Sequence, residues 1–140
     1  MKTTVKNLQK KIKINPAQVR KIAYNIEPPA SLRDMKLNLY FVDNSVIKKL
    51  NKQFFKKDSL TDVISFKLGD DYAEIFIAPS VVKDNALVFK AGFLEELHRC
   101  VVHGILHIFG YKDEAKKEKN KMWEVQEKIL SAVLKKVRHK

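Results

Sequence analysis

A chain of 140 residues with 45% hydrophobic content is long enough for one ordinary domain and apolar enough to pack a core, which excludes intrinsic disorder. Its only cysteine, Cys100, excludes an intrachain disulfide; its basic, mixed N-terminus is no secretory signal and no apolar run nears the ~20 residues of a membrane span, so a cytoplasmic protein with no membrane partner is expected. The net charge of +12 collects at the ends, +7 over residues 1–23 and +5 over 112–140 around a neutral centre, which suits a polyanion such as RNA or DNA, or equally a solvated lysine-rich surface.

Residues 3–12 read as an edge strand containing Val5 and Leu8. Asn15-Pro16 then opens a helix, with asparagine as cap and proline at the first helical position; Val19, Ile22, Ala23 and Ile26 recur at helical spacing until Pro28-Pro29. Met35, Leu37, Leu39 and Phe41 alternate with polar residues and Tyr40 as a strand does. Asp43-Asn44-Ser45 offers caps for a second helix that turns Val46, Ile47, Leu50 and Phe54 to the core. After the polar loop 56–59, residues 63–66 form a strand, 68–71 a turn, and 73–78 another strand stopped by Pro79. A helix around Val81, Val82, Ala86 and Leu87 precedes a central apolar helix that begins near Phe93 and closes at Gly110. The last helix starts near Ala115, with Met122, Val125, Gln126, Ile129, Val133 and Val137 on one face. About four strands in a mixed sheet packed with helices give a single α+β domain over residues 1–140, organised around the central helix.

That helix carries the chemistry. His103 and His107 are four residues apart, so both imidazoles project from one face and can bind one divalent ion from the same side. Gly110 then turns the chain back and brings Asp113 and Glu114, either of which can complete the ligand set. Gly104 costs about 1 kcal/mol against alanine inside a helix, which marks close approach of another group. It also stands where an H-E-x-x-H protease keeps its general base, so peptide hydrolysis by that route is disfavoured. His98 faces about 140° away from His103 and reads as a packing or supporting residue. Cys100 reads as a small buried residue, and Trp123, Phe54, Phe55 and Phe66 as core rather than base-stacking platforms.

The run His103-Gly104-Ile105-Leu106-His107-Ile108-Phe109-Gly110-Tyr111 resembles the H-G-x-L-H-x-x-G-Y-D-H signature of the YbeY family, bacterial metal-dependent endoribonucleases of ribosomal RNA maturation. Upstream, Thr61-Asp62-Val63-Ile64-Ser65-Phe66 resembles the family's T-[DN]-V-L-S-F block and Glu74-Ile75 its G-[DE]-I strand, so the likeness spans roughly residues 35–130. The resemblance is that of a divergent member. Asp113 stands at the third metal-binding histidine, Lys112 at the aspartate before it and Phe55 at the active-site arginine. Leu60, Lys67 and Ala73 replace the usual proline, proline and glycine.

The resemblance implies one zinc or other divalent ion held by His103, His107 and Asp113, with Glu114 a competitor and His139 a remote one. It implies cleavage of single-stranded, ribosomal RNA at or near the ribosome, with Lys56 and Lys57 supplying the positive charge that the missing arginine would have brought. The competing reading is an RNA- or ribosome-associated metal-binding protein of the same fold that cleaves poorly, since that arginine and the third histidine are absent.

Overall fold

Period-two alternation builds the sheet. The computed structural model describes residues 1–138, and its strands are β1 (Lys2–Asn7), β2 (Lys36–Phe41), β3 (Val63–Lys67) and β4 (Tyr72–Ile77). They lie in the order β1-β2-β4-β3, with β2 parallel to both β1 and β4 and β3 antiparallel along the edge of β4. Register sets Val5, Leu39 and Ile75 side by side, so one face of the sheet is continuously apolar. The first strand is an edge strand as expected, but it ends at Asn7 and leaves Leu8 exposed.

Five α-helices complete the α+β architecture among the described residues: α1 (Pro16–Tyr24), α2 (Asn44–Phe55), α3 (Pro79–Val88), α4 (Phe93–Ile108) and α5 (Lys116–Arg138). Asn15 caps α1, its side-chain oxygen accepting from the Gln18 amide at 3.3 Å, with Pro16 at the first turn. Val19, Ile22 and Ala23 of α1 and Val101, Val102 and Ile105 of α4 bury against the apolar face of the sheet, and Met122, Leu130 and Val133 of α5 extend the same core where α5 packs on α4 and α1. The opposite face carries Tyr40, Phe76, Ile64 and Phe66, and α2 covers part of it through Ile47 and Leu50. None of the described helices is long and apolar enough to cross a membrane.

Gly104 lies where α4 meets the sheet. A Cβ there would come within 3.0 Å of Ile75 Cγ2 and 3.2 Å of both Ser65 Oγ and Val63 Cγ2. The Ser65 hydroxyl donates to the Gly104 carbonyl at 2.9 Å, tying β3 to the helix turn that bears His103. The close approach signalled by a mid-helix glycine is thus the sheet itself.

Several expectations are corrected. The strand stops short of Pro79 as expected, at Ile77, but α3 begins at Pro79 itself and not at residue 80, because the fixed φ and missing donor of proline suit a helix's first turn. Val46, Phe54 and Phe55 of α2 are exposed, since the helix buries only one stripe, through Ile47 and Leu50. Leu87 and Trp123 are exposed as well, because α3 and α5 pack on α4 and bury other residues, Val82 and Ala86 on one and Met122, Leu130 and Val133 on the other. Phe66 is half-buried, in edge contact with Phe54 at 5.0 Å and stacked on Phe55 at 6.0 Å between centroids.

Candidate metal centre

The C-terminal half of α4 is oriented by Gly104 on the sheet and closed by a left-handed turn. Gly110 has φ of +103°, a conformation that favours glycine. Its amide donates to the His107 carbonyl at 3.1 Å, and the Tyr111 amide donates to the Leu106 carbonyl at 3.0 Å. The chain therefore doubles back over the last turn of the helix and delivers Asp113 to the two imidazoles.

Three donors converge there. His103 Nε2 and His107 Nε2 are 3.1 Å apart, and Asp113 Oδ2 lies 3.3 Å from His107 Nε2 and 3.8 Å from His103 Nε2. The rings stand nearly perpendicular, with centroids 4.6 Å apart. Each residue is partly exposed, so the point they share is reachable from solvent. His103, His107 and Asp113 form the one group of such side chains, among the described residues, close enough to share an ion. Glu114 is exposed and outside that group, and His139 lies outside the described residues.

The far side of each ring sets its tautomer. His103 Nδ1 lies 2.7 Å from Gln126 Oε1, and His107 Nδ1 lies 3.1 Å from the Tyr111 carbonyl. Both partners accept only, so in the neutral rings both Nδ1 atoms carry the proton and both Nε2 atoms carry bare lone pairs. Two lone pairs and a carboxylate facing one point repel unless a cation sits between them. Two imidazoles and a carboxylate suit a divalent transition ion, zinc included. The residues present fit a metal.

Gln126 is itself held in place. Its amide Nε2 donates to Glu127 Oε2 at 3.1 Å, which aims Oε1 at His103. Arg99 donates twice to Glu127, from Nε and Nη2 at 2.9 Å each, and also pairs with Glu95 and Glu96. The bonds from Arg99 hold the Glu127 carboxyl below the usual glutamate range, although its partial burial pulls the other way. Arg99 is pushed up in turn, chiefly by its bonds to Glu127. An orienting chain thus runs Arg99–Glu127–Gln126–His103, the kind of outer support that metal-bound imidazoles need.

A cleft of about 750 Å³ opens beside His103 and Asp113, between α4 and the start of α5, with Asp62, Phe89, Arg99 and Trp123 among its walls. Cys100 is buried there, its thiol donating to Asp62 Oδ2 at 3.4 Å, and burial pushes that thiol far up. His98 is buried in the same helix and stands apart from the triad, as its angular position requires. Lys56, which takes a left-handed conformation at φ 56°, and Lys57 are exposed where α2 ends and do not line the cleft. Sequence reasoning placed Gln126 on an apolar stripe and missed its role. The signal was there: an amide amid Met122, Val125, Ile129 and Val133 needs a buried partner.

Comparison with known proteins identifies the chain's relatives. Residues 4–134 match the profile of the family described as Endoribonuclease YbeY. The chain is 41% identical over 103 residues to the Endoribonuclease YbeY of Thermotoga petrophila, covering 71% of this chain and 69% of that protein. It is 43% identical over 83 residues to that of Flavobacterium psychrophilum, covering 57% and 59%. Among solved structures, the solution structure of a Thermotoga maritima protein superposes with a TM-score of 0.69 at 32% identity, covering 98% of this chain and 92% of that one. A match spanning nearly every described element, from β1 into α5, makes the chain a member of the YbeY family.

Proposed function

We propose that this chain is an endoribonuclease of ribosomal RNA maturation that uses one divalent ion, zinc in the first instance, held by His103, His107 and Asp113. The observation that carries the reading is the convergence of both Nε2 atoms and the Asp113 carboxylate on one point, with both Nδ1 atoms already bonded to acceptors. Its substrate is single-stranded RNA, and its setting is the cytoplasm, at or near the ribosome. Residues 1–140 act as one YbeY-like unit.

When bound, the ion supplies Lewis acidity, polarising a phosphate oxygen or making a water a better nucleophile. The protein does the rest. Gln126 and the Tyr111 carbonyl hold the two rings in the ligating tautomer, and Gly110 sets the position of Asp113. Lys56 and Lys57 are proposed to hold the RNA backbone from the end of α2, with the basic termini adding longer-range attraction.

The test is cleavage of an end-labelled single-stranded RNA by zinc-loaded protein, run beside His107→Ala and Asp113→Ala. Loss of at least a hundredfold in both variants supports the assignment. Equal cleavage by all three preparations would trace the activity to a contaminant and leave an RNA-associated metal-binding protein.

A further inference from the structure

The cleft beside the triad is built for something other than phosphate. Of the charged groups around it, Asp62, Glu96 and Asp113 are acidic and only Arg99 and Lys119 basic. Arg99 is already committed to Glu95, Glu96 and Glu127. A polyphosphate chain gains little from such a wall, and the excess positive charge of the protein lies in its terminal segments.

Planar apolar groups fit it better. Trp123 is 57% exposed and Phe89 68% exposed, although both border a cavity of about 750 Å³, a size that takes a small organic ligand. The indole is pre-positioned by the Arg99 guanidinium, 5.8 Å from its ring centroid. Aromatic faces of this kind stack splayed bases of single-stranded RNA. Asp62 adds an edge reader. The Cys100 thiol donates to its Oδ2, which orients the carboxylate at the cleft wall.

We propose that this cleft seats one base of the RNA next to the scissile phosphate, stacked on Trp123 and read by the Asp62 carboxylate, with a preference for guanine. Guanine alone among the four bases presents two adjacent donors, N1–H and N2–H₂, to a carboxylate that can only accept. Uracil offers one donor flanked by two carbonyl oxygens that the carboxylate repels. The base goes in and the backbone runs outside, over the metal site. The inference rests on the ribonuclease reading of the adjoining triad.

Trp123 is the only tryptophan, so its fluorescence reports the cleft directly. Zinc-loaded protein is titrated with the four nucleoside 5′-monophosphates, which share one phosphate and have no internucleotide bond to cut. Quenching is corrected against N-acetyltryptophanamide. The proposal requires saturable quenching, with guanosine monophosphate binding on the order of tenfold tighter than uridine monophosphate. Asp62→Asn, nearly isosteric, should abolish most of that preference, weakening guanosine monophosphate and strengthening uridine monophosphate, whose carbonyl oxygens the amide no longer repels and can donate to. His107→Ala should lose RNA cleavage and keep the guanine preference.

Absence of saturable quenching, equal affinity for all four nucleotides, or a preference untouched in Asp62→Asn each overturns the proposal. The base ranking in the wild-type protein is decisive even if the variant folds poorly. Wild-type protein that cuts no RNA yet keeps an Asp62-dependent guanine preference would overturn the nuclease reading and uphold the base site.

Discussion

Replacing Gln126 by leucine tests whether the far side of His103 governs the metal site. Gln126 is 2% exposed, and its Oε1 is the acceptor 2.7 Å from His103 Nδ1. Leucine fills a similar volume and removes the acceptor, together with the amide donor to Glu127, whose carboxylate still accepts twice from Arg99. A buried N–H left without a partner costs about 1–3 kcal/mol. The ring can escape that cost by moving its proton to Nε2, but that tautomer no longer has a lone pair to give the ion. Either route taxes ligation by a similar amount, so zinc affinity should fall about 10- to 100-fold, the usual effect of losing such a support. The assay is competition for zinc against a chromophoric chelator, with thermal unfolding in EDTA to separate ligation from folding. Gln126→Glu should recover much of the affinity, because a carboxylate still accepts from Nδ1. It also loses the donor to Glu127 and sets two carboxylates side by side, so recovery should be incomplete. Wild-type zinc affinity in Gln126→Leu would refute the reasoning.

Four further predictions concern the scaffold and the donor set. Gly104→Ala places a methyl 3.0–3.2 Å from Ile75, Ser65 and Val63, two of them β-branched and stiff in strands; overpacking of about 1–3 kcal/mol outweighs the ~1 kcal/mol of helix propensity, and Tm should fall by several degrees, whereas a rise would contradict the close packing. Asp113→His restores three imidazoles, so it should keep zinc binding and shift the rising limb of the cleavage pH profile to lower pH; a shift to higher pH would exclude Asp113 as a ligand. Glu127 has its folded pKa lowered, so its contribution to stability is complete above its ordinary value of 4.5 and is lost as pH falls through the folded value; the acid side of the Tm–pH curve should flatten in Glu127→Gln. Removing metal with a chelator should lower Tm and abolish cleavage, and readdition of zinc should restore both.

The parts of this site that depend on chain geometry were legible in the sequence. Spacing of four puts His103 and His107 on one helix face, and Gly110 is a turn residue wherever a helix must reverse. Gly104 announced a tight contact without naming the partner, which is β3 and β4. What sequence could not separate was one apolar surface from another. Phe54, Phe55 and Trp123 look like core residues by type, and their exposure depends on how much of the sheet α2 covers and on how α5 turns against α4. Strand order β1-β2-β4-β3 is likewise set by long-range pairing that no local pattern encodes. The chain Arg99–Glu127–Gln126 crosses from α4 to α5, and only the packing of those two helices reveals it.

The central claim is that three side chains share one ion, and zinc-edge anomalous diffraction from crystals of the zinc-loaded protein addresses it most directly. The account predicts a single strong peak bonded to His103 Nε2 and His107 Nε2 at about 2.0–2.1 Å and to an Asp113 oxygen at about 2.0–2.2 Å, with both Nδ1 atoms still on Gln126 and Tyr111. A peak lying elsewhere, or one ligated without Asp113, would contradict it.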